Sequence, residues 1–396
     1  MNLPIEQDNC LVCRNSSLIP IPGYSELPRV TSDAKPFGKG GALHLCKKCA
    51  TLQKAVDEKF LEESASIYHS YDLYASSSIS SQVVFQETGE ADRAALIAKK
   101  LSPYMKKDLL DIGAGNGAFL RAVSKENETI NLNAYDINER KLNVFSSLEN
   151  FSHFYSGQLE DVTEKFDVVS VQHVLEHIPD PLSFLSEIKK LIKPGGVLFI
   201  QVPDNDKNPF DILVADHVTH FYPETLSYLL ELAGYEIVEF TREWVFKEIS
   251  LIARPLDKPI VKSREHNIDA IYHKLLSNVD YLTNMISDAN NYSLDQSFGI
   301  FGSSISSTWL YGSLKNKGSV CFFVDEDSTK KGSQHLGVPI YHPFQVPKDS
   351  VVYVPLVTQT VNNVIKRSKS ENWSFKMHFR QLENISAIGG SQEVRS

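Results

Sequence analysis

The central part of the chain alternates short apolar runs with stretches in which apolar residues recur every three to four positions. Short apolar runs bounded by glycine, proline or an acidic residue are typical of buried strands, and the longer recurrence is typical of amphipathic helices. Strands are predicted to end near 110, 136, 155, 172 and 200, followed by a strand pair around 237 and 245–251. Helices are predicted at 86–101, from 118, up to 192 and from 221. Strands that alternate with helices predict an α/β fold with a Rossmann-like sheet.

The turn after the first strand is rich in glycine and opens a helix at Ala118. It reads Asp111-Ile-Gly-Ala-Gly-Asn-Gly117. Glycine adopts backbone torsion angles that other residues avoid and lets a ligand approach closely, and the free N–H groups at a helix start attract an anionic group. The turn therefore predicts a cradle for a nucleotide-type cofactor. Its spacing also satisfies the looser dinucleotide fingerprint, in which an acid such as Asp136, roughly 20 residues on, accepts hydrogen bonds from ribose hydroxyls.

A second block, from Phe166 to Ile200, bears on which cofactor is bound. Its strand runs into Gln172-His-Val-Leu-Glu-His177, and Lys193-Pro-Gly-Gly196 opens the next strand. Together with the glycine turn, this block resembles the class I S-adenosylmethionine-dependent methyltransferases, and the resemblance extends from about Arg93 to Phe240. No dinucleotide fingerprint requires the second block, and Asp111 is placed to hold the ammonium group of the methionine moiety.

The resemblance implies a set of residues that bind S-adenosylmethionine, and most of them follow the carboxyl ends of strands, where α/β sheets bind ligands. They are Asp111, Gly113, Gly115, Asn116, Gly117, Asp136, Ile137, Gln158, Leu159, Gln172 and His173. Glu176 and His177 are instead predicted to orient the start of the following helix.

The segment after the fifth strand, residues 210–222, carries the best candidate acid–base pair. A histidine beside a carboxylate has a pKa suited to accepting a proton near neutrality, so Asp216 and His217 are predicted to act together. In the alternative, His217 and His220 only fix the loop. Tyr74 lies in an aromatic and serine-rich segment and is predicted to reach a substrate oxygen. In its own alternative, Tyr74 packs the seam between two domains.

Four of the five cysteines lie before residue 50, in two C-x-x-C pairs. Cys10, Cys13, Cys46 and Cys49 supply four thiolates, which is typical of a tetrahedral structural zinc site. With all four positions filled by sulfur, the ion would stabilise a small domain and would not reach a substrate. A thioredoxin-like redox pair is the alternative, and two pairs without a βαβ context disfavour it. The sequence therefore predicts a zinc-binding domain over residues 1–70.

The length of 396 residues predicts two or three domains. A methyltransferase domain is predicted over 71–255, and a long amphipathic helix at 264–288 then leads into a C-terminal Rossmann-like α/β domain within 256–396. A net charge of -9 and a pI of about 5.8 argue against a nucleic-acid-binding protein. No apolar run approaches the roughly 20 residues that span a bilayer, and the first residues lack a secretory signal pattern. These features predict a cytoplasmic protein without membrane or nucleic-acid partners, and they leave the oligomeric state unpredicted.

In this order, the three parts resemble the zinc-containing C-methyltransferases that act on nucleotide-linked 4-keto deoxysugars. The resemblance rests on Cys10-x-x-Cys13 with Leu45-Cys-x-x-Cys-Ala-Thr-Leu-Gln53, on Tyr74-Ala-Ser-Ser77, and on Phe210-Asp with Asp216-His217. The chain departs from that family in two places. Val214 and Asp216 stand where the family has tyrosine and glutamate, and Gly302-Ser-Ser-Ile-Ser-Ser307 replaces a turn that contains Gly, Ala and Lys.

The resemblance implies a nucleotide sugar as substrate, together with a mechanism. His217 would remove the proton beside the ketone, and the enolate carbon would attack the methyl group held in line with it. Tyr74 would hydrogen-bond the developing enolate oxygen, and the C-terminal domain would bind the nucleotide of the acceptor. Two alternatives are an O- or N-methyltransferase, in which His217 deprotonates a hydroxyl or amine of another small molecule, and a non-catalytic module that binds a sugar nucleotide for a partner.

Overall fold

The computed structural model of the chain describes residues 9–71, 82–86, 89–137 and 144–380, so Tyr74 lies outside the described residues. The strands are β1 (Leu18–Pro20), β2 (Arg29–Val30), β3 (Pro36–Phe37), β4 (Leu43–Cys46), β5 (Leu52–Lys54), β6 (Val83–Gln86), β7 (Gly89–Asp92), β8 (Asp108–Ile112), β9 (Asn131–Tyr135), β10 (Phe151–Tyr155), β11 (Phe166–Gln172), β12 (Ile192–Pro203), β13 (Thr219–His220), β14 (Tyr235–Thr241), β15 (Glu248–Pro255), β16 (Phe298–Phe301), β17 (Val320–Val324), β18 (Gln334–His335), β19 (Val338–Tyr341), β20 (Val351–Tyr353) and β21 (Lys376–His378). The helices are α1 (Glu58–His69), α2 (Arg93–Leu101), α3 (Ala118–Glu126), α4 (Pro181–Lys190), α5 (Pro223–Leu232), α6 (Ile268–Asp295), α7 (Ile305–Ser313) and α8 (Thr358–Glu371).

A seven-stranded sheet forms the centre of the molecule, in the order β10-β9-β8-β11-β12-β15-β14. The first five strands are parallel, and β15 and β14 are each antiparallel to the neighbour before them. The apolar runs that predicted the strands are fully buried, as at Leu109, Leu132 and Val169. The chain reverses its direction across the sheet between β8 and β11, and ligands bind at such a switch point in α/β sheets. The predicted α/β, Rossmann-like fold is confirmed for this part of the chain.

A second sheet, in the order β1-β4-β5-β13, is built mainly by the first seventy residues. Its last strand comes from far along the chain: Thr219 pairs with Gln53 and His220 with Leu52 in β13. The amide of Lys54 also donates to the carbonyl of Val218 at 2.8 Å. The loop between β12 and α5 is therefore part of the N-terminal sheet. The predicted limits of 1–70 and 71–255 stay predictions, and this pairing crosses the first of them.

A third sheet, in the order β18-β19-β17-β16-β20-β21, follows the 28-residue helix α6. Strands β16 and β17 are parallel and α7 connects them, so the predicted βαβ unit is present. This part packs on the rest of the molecule: the indole N–H of Trp309 in α7 donates to the carbonyl of Pro28 at 2.9 Å. One apolar cluster includes Tyr24, Phe210 and Leu275 as well as Trp309. The three parts therefore share buried core.

Two helices differ from their predicted limits, because polar caps rather than apolar spacing set their starts. The helix predicted at 86–101 begins at Arg93, where Asp92 accepts a hydrogen bond from the amide of Ala95 at 2.8 Å, and a β6–β7 hairpin precedes it. The helix predicted at 264–288 runs from Ile268 to Asp295, with Asn267 as its cap. Within the described ranges, every helix is too short or too polar to cross a membrane.

Candidate active site

The glycine turn connects β8 to α3 with three residues in the left-handed region of backbone conformation. Gly113, Gly115 and Gly117 have φ of 75°, 53° and 71°. The amide of Gly113 donates to the carbonyl of Tyr135 at 2.8 Å, which ties the turn to the end of β9. A Cβ on Gly113 would lie 2.3 Å from Cγ2 of Val174. The turn is thus packed so closely against the end of β11 that a side chain is excluded at Gly113.

Replacing Gly113 with alanine is expected to lower the free energy of unfolding by about 2–5 kcal/mol and to weaken the binding of S-adenosylmethionine. A left-handed conformation alone costs a residue with a Cβ roughly 1–2 kcal/mol, and overpacking costs about 1–3 kcal/mol more. Gly337 is a matched control, because its φ of 79° is similar and a Cβ there would have no neighbour within 4 Å. Urea unfolding of both alanine variants checks the prediction, and equal losses at the two sites would contradict it.

A cavity of about 400 Å³ opens beside the turn, and polar groups of the turn form part of its wall. Asp111 is 4% exposed, and burial raises the pKa of its carboxyl to about 7. The side-chain nitrogen of Asn116 is buried without a hydrogen-bond partner in the described structure. A buried acid and an unsatisfied amide fit a ligand that brings an ammonium group and hydrogen-bond acceptors, as S-adenosylmethionine does. Asp136, after β9, accepts a hydrogen bond from the amide of Gly115 at 3.1 Å.

The end of β11 is held by a chain of ionic contacts. Nδ1 of His173 lies 3.2 Å from Oε1 of Glu176, and Nε2 of His173 lies 3.2 Å from Oε1 of Glu248. Arg93 bonds the other oxygen of Glu248 at 3.0 Å. Burial works to lower the pKa of His173, but the charge of Glu248 and the hydrogen bonds to Glu176 and Glu248 together outweigh it and raise that pKa to about 9. His173 is therefore a cation at neutral pH, fixed between two carboxylates, and is not a free base.

All three parts of the chain contribute to the cavity wall. Ser32 comes from the loop between β2 and β3 in the N-terminal part, Tyr71 follows α1, and Ser304 and Ile305 open α7 in the C-terminal part. The glycine turn lies at one end, with His217 also in the wall. A ligand in this cavity would contact residues separated by more than 250 positions in sequence, which places cofactor and acceptor chemistry in one enclosed space.

His217 makes its polar contact with Asp211. Nδ1 of His217 lies 2.8 Å from Oδ1 of Asp211, and Nδ1 of His220 lies 2.7 Å from the other carboxylate oxygen. Because the carboxylate accepts from both rings, each histidine carries its proton on Nδ1 and has a lone pair on Nε2. Burial is the largest single influence on the pKa of His217 and lowers it, but the charge and hydrogen bond of Asp211 and the charges of Glu176 and Asp216 together outweigh it, so that pKa is raised. Burial lowers the pKa of His220 to about 4 despite the same carboxylate. His217 is therefore the stronger base of the two.

Among the described residues, the hydrogen-bond partner of His217 is Asp211 rather than the predicted Asp216, and a part for Asp216 in the chemistry stays a prediction. A turn at residues 215–216 directs the carboxylate of Asp216 toward Ser32, in the loop between β2 and β3. There it accepts hydrogen bonds from the amide of Ser32 at 2.9 Å and from its hydroxyl at 2.5 Å. The acid that orients His217 is Asp211, six residues earlier in the chain. The sequence carries this signal as Phe210-Asp211, one of the segments on which the resemblance rests, although the resemblance assigns the acid no role.

His177 lies in the cavity wall, although the sequence predicted for it only a role in orienting the start of a helix. Its Nδ1 lies 3.0 Å from the carbonyl oxygen of Asp216, and its ring meets that of His217 edge-on, with the ring centroids 4.6 Å apart. Burial, together with the nearby His217, lowers the pKa of His177. Both Glu176 and His177 line the cavity. Their position after the carboxyl end of a parallel strand is the sequence signal that could have indicated a place in the cavity wall.

The residues predicted to bind S-adenosylmethionine divide into two groups. Asp111, Gly113, Gly115, Asn116, Gln172 and His173 line the cavity. Among the described residues the cavity wall does not include Gly117, Asp136, Ile137, Gln158 or Leu159. Ile137 is 67% exposed and Leu159 is 8% exposed. Apart from Gly117, which ends the glycine turn, the second group follows the ends of β9 and β10, and its part in cofactor binding stays a prediction.

The four N-terminal cysteines converge on one point. The sulfurs of Cys10 and Cys49 are 3.5 Å apart and those of Cys13 and Cys46 are 3.6 Å apart, with all four within 4.8 Å of one another. Zinc–sulfur bonds of about 2.3 Å place tetrahedral sulfurs roughly 3.8 Å apart, so the cluster fits zinc. Amides of Cys13 and Lys48 point at two of the sulfurs, at 3.5 and 3.4 Å. The four predicted cysteines therefore form one cluster, and their binding of zinc stays a prediction.

Comparison with known proteins matches the central part of the chain. Residues 87–240 fit the family profile described as "Methyltransferase domain". The ubiquinone biosynthesis O-methyltransferase of Actinobacillus pleuropneumoniae is 32% identical over 117 residues, which are 27% of this chain and 50% of that protein. The same enzyme of Haemophilus ducreyi is 33% identical over 116 residues, or 26% and 48% of the two chains. The chain thus spans about half the length of the curated relatives it matches.

Among solved structures, a mitomycin 7-O-methyltransferase is similar with a TM-score of 0.40 and 17% identity, over 50% of this chain and 60% of that one. The profile match covers the glycine turn, the block after it and the loop that bears His217. The central part of the chain is therefore a class I S-adenosylmethionine-dependent methyltransferase domain.

Proposed function

We propose that the protein transfers a methyl group from S-adenosylmethionine to a small acceptor from which His217 removes a proton. One observation carries the proposal: the glycine turn and the Asp211–His217 pair belong to the wall of the same 400 Å³ cavity. A cofactor cradle and a positioned base in one enclosed space are the two parts that methyl transfer to a weakly acidic acceptor requires.

Different residues would bind the cofactor and accept the proton of the acceptor. When bound, S-adenosylmethionine supplies an electrophilic methyl group. Asp111 and the turn beside it would hold the methionine end, and Nε2 of His217 would accept the proton of the acceptor. Asp211 is a positioning residue: it keeps the proton of His217 on Nδ1 and stabilises the imidazolium that forms. Because His217 is only 7% exposed, water competes little for the same proton.

For the acceptor, we propose a nucleotide-linked 4-keto deoxysugar that is methylated on carbon. The cavity receives polar residues from the N-terminal and C-terminal parts, such as Ser32 and Ser304, and an elongated acceptor would contact both. A ketone lowers the pKa of its neighbouring C–H, so that this pKa lies nearer to that of an imidazole base. We also propose that zinc occupies the four cysteines and stabilises the N-terminal sheet, in line with the fit of their sulfurs.

O-methylation is the second candidate, and the curated relatives favour it. They are named as O-methyltransferases over the matched region, so they give no support to carbon as the methyl acceptor. The same His217 would then deprotonate a hydroxyl group. Both candidates use one donor site and one base, and they differ in the atom that becomes methylated.

The test combines the purified protein with methyl-labelled S-adenosylmethionine and a panel of acceptors, read by NMR. The panel contains nucleotide-linked 4-keto deoxysugars, the same sugars reduced to alcohols, and hydroxylated aromatic compounds. A labelled methyl group on a sugar carbon supports the first proposal. A labelled methyl group on oxygen supports the second candidate instead. Binding of the donor without transfer to any member of the panel counts against both and favours a binding module.

Replacing Asp211 with asparagine is expected to shift the acidic limb of kcat/KM to lower pH. The ordinary pKa of histidine is 6.5 and that of His217 is raised by the Asp211 charge, so the wild-type rate should rise through a pKa above 6.5. Without the Asp211 charge the pKa of His217 falls, so its imidazole is already neutral at lower pH. The imidazole is then also a weaker base, which lowers the plateau of kcat/KM. Rates measured from pH 5 to 9 check this. An unchanged limb in the variant would contradict the assignment of His217 as the base.

A further inference from the structure

We propose that Glu176, His177 and His217 form a second metal site, which binds a divalent transition-metal ion of the zinc class inside the cavity. One ligand atom from each of the three residues lies within 4.8 Å of the other two. Two imidazoles and one carboxylate are a common ligand set for zinc-class ions that keep an open coordination position. Metal–ligand distances of about 2.0–2.2 Å would require the side chains to close in by roughly 1 Å.

A second observation points to a ligand here. Oε2 of Glu176 is buried and has no hydrogen-bond partner in the described structure, and the whole residue is 1% exposed. A bare carboxylate oxygen in a buried position is costly unless something cationic satisfies it. The other oxygen, Oε1, is held by Nδ1 of His173 at 3.2 Å. The unsatisfied oxygen is therefore fixed in place rather than free to turn to another partner.

The two histidine ligands are also oriented by polar contacts to their Nδ1 atoms. Nδ1 of His177 lies 3.0 Å from the carbonyl oxygen of Asp216, and Nδ1 of His217 lies 2.8 Å from Oδ1 of Asp211. Both contacts place the proton on Nδ1 and leave Nε2 to bind an ion. Protein metal sites characteristically hold their histidines in this way, by a carbonyl or a carboxylate on the other nitrogen.

The surrounding charge and shape suit a cation with an exchangeable ligand. The carboxylate of Asp211 lies 2.8 Å from Nδ1 of His217 and that of Asp216 lies 3.4 Å from Nδ1 of His177, and all three proposed ligands line the cavity. The remaining coordination positions of an ion bound there would open into the cavity. The neighbouring triad of Asp211, His217 and His220 fits less well, because both Asp211 oxygens already accept hydrogen bonds from the two rings.

Nε2 of His217 is also the atom that accepts the proton in the proposed function. A bound ion and proton transfer to His217 therefore exclude each other, so the metal-loaded protein would not use His217 as its base. The metal site itself does not rest on the proposed function, because it is measured as binding, without donor or acceptor. Absence of methyl transfer would leave the metal site standing, and absence of the metal site would leave methyl transfer standing.

The experiment starts from the full chain with its zinc content measured, so that the cysteine cluster is filled, and titrates Co²⁺ into it. We expect one further equivalent to bind, with visible absorption that lacks thiolate-to-cobalt bands. Glu176→Gln and His177→Ala should each weaken this binding by more than about 100-fold, since even residues behind a metal ligand are worth about 10–100-fold. Two variants are used so that one that fails to fold leaves the other to decide.

Two controls identify the site. His153→Asn changes an exposed histidine on β10 and should leave Co²⁺ binding unchanged. His220→Asn should also leave it within a few-fold, because His220 belongs to the other triad. Three results would overturn the proposal: no further equivalent of Co²⁺, a further equivalent that neither Glu176→Gln nor His177→Ala weakens, or binding that depends on His220 but not on His177.

Discussion

Replacing His217 with asparagine is expected to lower the rate of methyl transfer by about 10²–10⁴-fold, the usual contribution of a general base. Asparagine is close in size and can still donate from near the Nδ1 position to Asp211, but it has no lone pair of comparable basicity at the Nε2 position. Binding of S-adenosylmethionine should stay within about twofold, because the glycine turn and Asp111 are untouched. Transfer measured with labelled donor, and donor affinity measured by calorimetry, together check the prediction.

His153→Asn is the matched control, since it makes the same substitution at an exposed position on β10. It should transfer methyl groups at the wild-type rate. If His217→Asn lost donor binding in parallel with transfer, the residue would be supporting the cavity rather than accepting a proton. Transfer at more than about a tenth of the wild-type rate would remove His217 as the base and direct attention to His177, whose ring contacts it.

The cofactor half of the site could be predicted from the sequence because its signals are local. Gly113, Asn116 and Asp111 lie within one turn, and the backbone conformation that they impose does not depend on distant residues. The same holds for the cysteines, whose spacing in pairs encodes how each pair points at one ion. The parallel strands were also predictable, since burial on both faces of a sheet leaves unbroken apolar runs.

The acceptor half of the site could not be predicted in the same way, because tertiary contacts decide it. The sequence favours Asp216, the neighbour of His217, as its partner, but the carboxylate of Asp216 accepts hydrogen bonds from Ser32 in the loop between β2 and β3, and Asp211 contacts His217 instead. The pairing of His220 with Leu52 has no local signal either, since β13 is only two residues long. Residues that meet only after three parts of the chain have packed leave little trace in periodicity or spacing.

That packing connects the cysteine cluster to the proposed base. Cys46 ends β4, β4 pairs with β5, and β5 pairs with β13. Strand β13 begins at Thr219, two residues after His217. Lys54 adds a second connection: its ammonium is buried and donates to the carbonyls of Val214 and Ala215. Burial lowers the pKa of Lys54 to about 7. The N-terminal sheet therefore supports the loop that carries His217.

Replacing Cys46 with alanine is expected to release the zinc that we propose and to abolish methyl transfer, although the cysteines lie outside the cavity. Structural zinc contributes about 10–16 kcal/mol of apparent binding energy in small domains, which matches or exceeds the total stability of a typical protein. The N-terminal sheet should then unfold locally, and β13 should lose its partner. Metal analysis, hydrogen exchange at the amide of Lys54, which bonds the carbonyl of Val218, and transfer assays check the three steps.

Cys321→Ala is the matched control, because this cysteine is exposed and lies outside the cluster. It should keep the metal, the slow exchange of the Lys54 amide and the full rate. Calorimetric binding of S-adenosylmethionine separates the local effect from general unfolding, since the glycine turn belongs to the central sheet and should still bind the donor in Cys46→Ala. A Cys46→Ala variant that loses its metal and still transfers methyl groups at the wild-type rate would show that the loop of His217 holds its position without the N-terminal sheet, and the proposed support would be wrong.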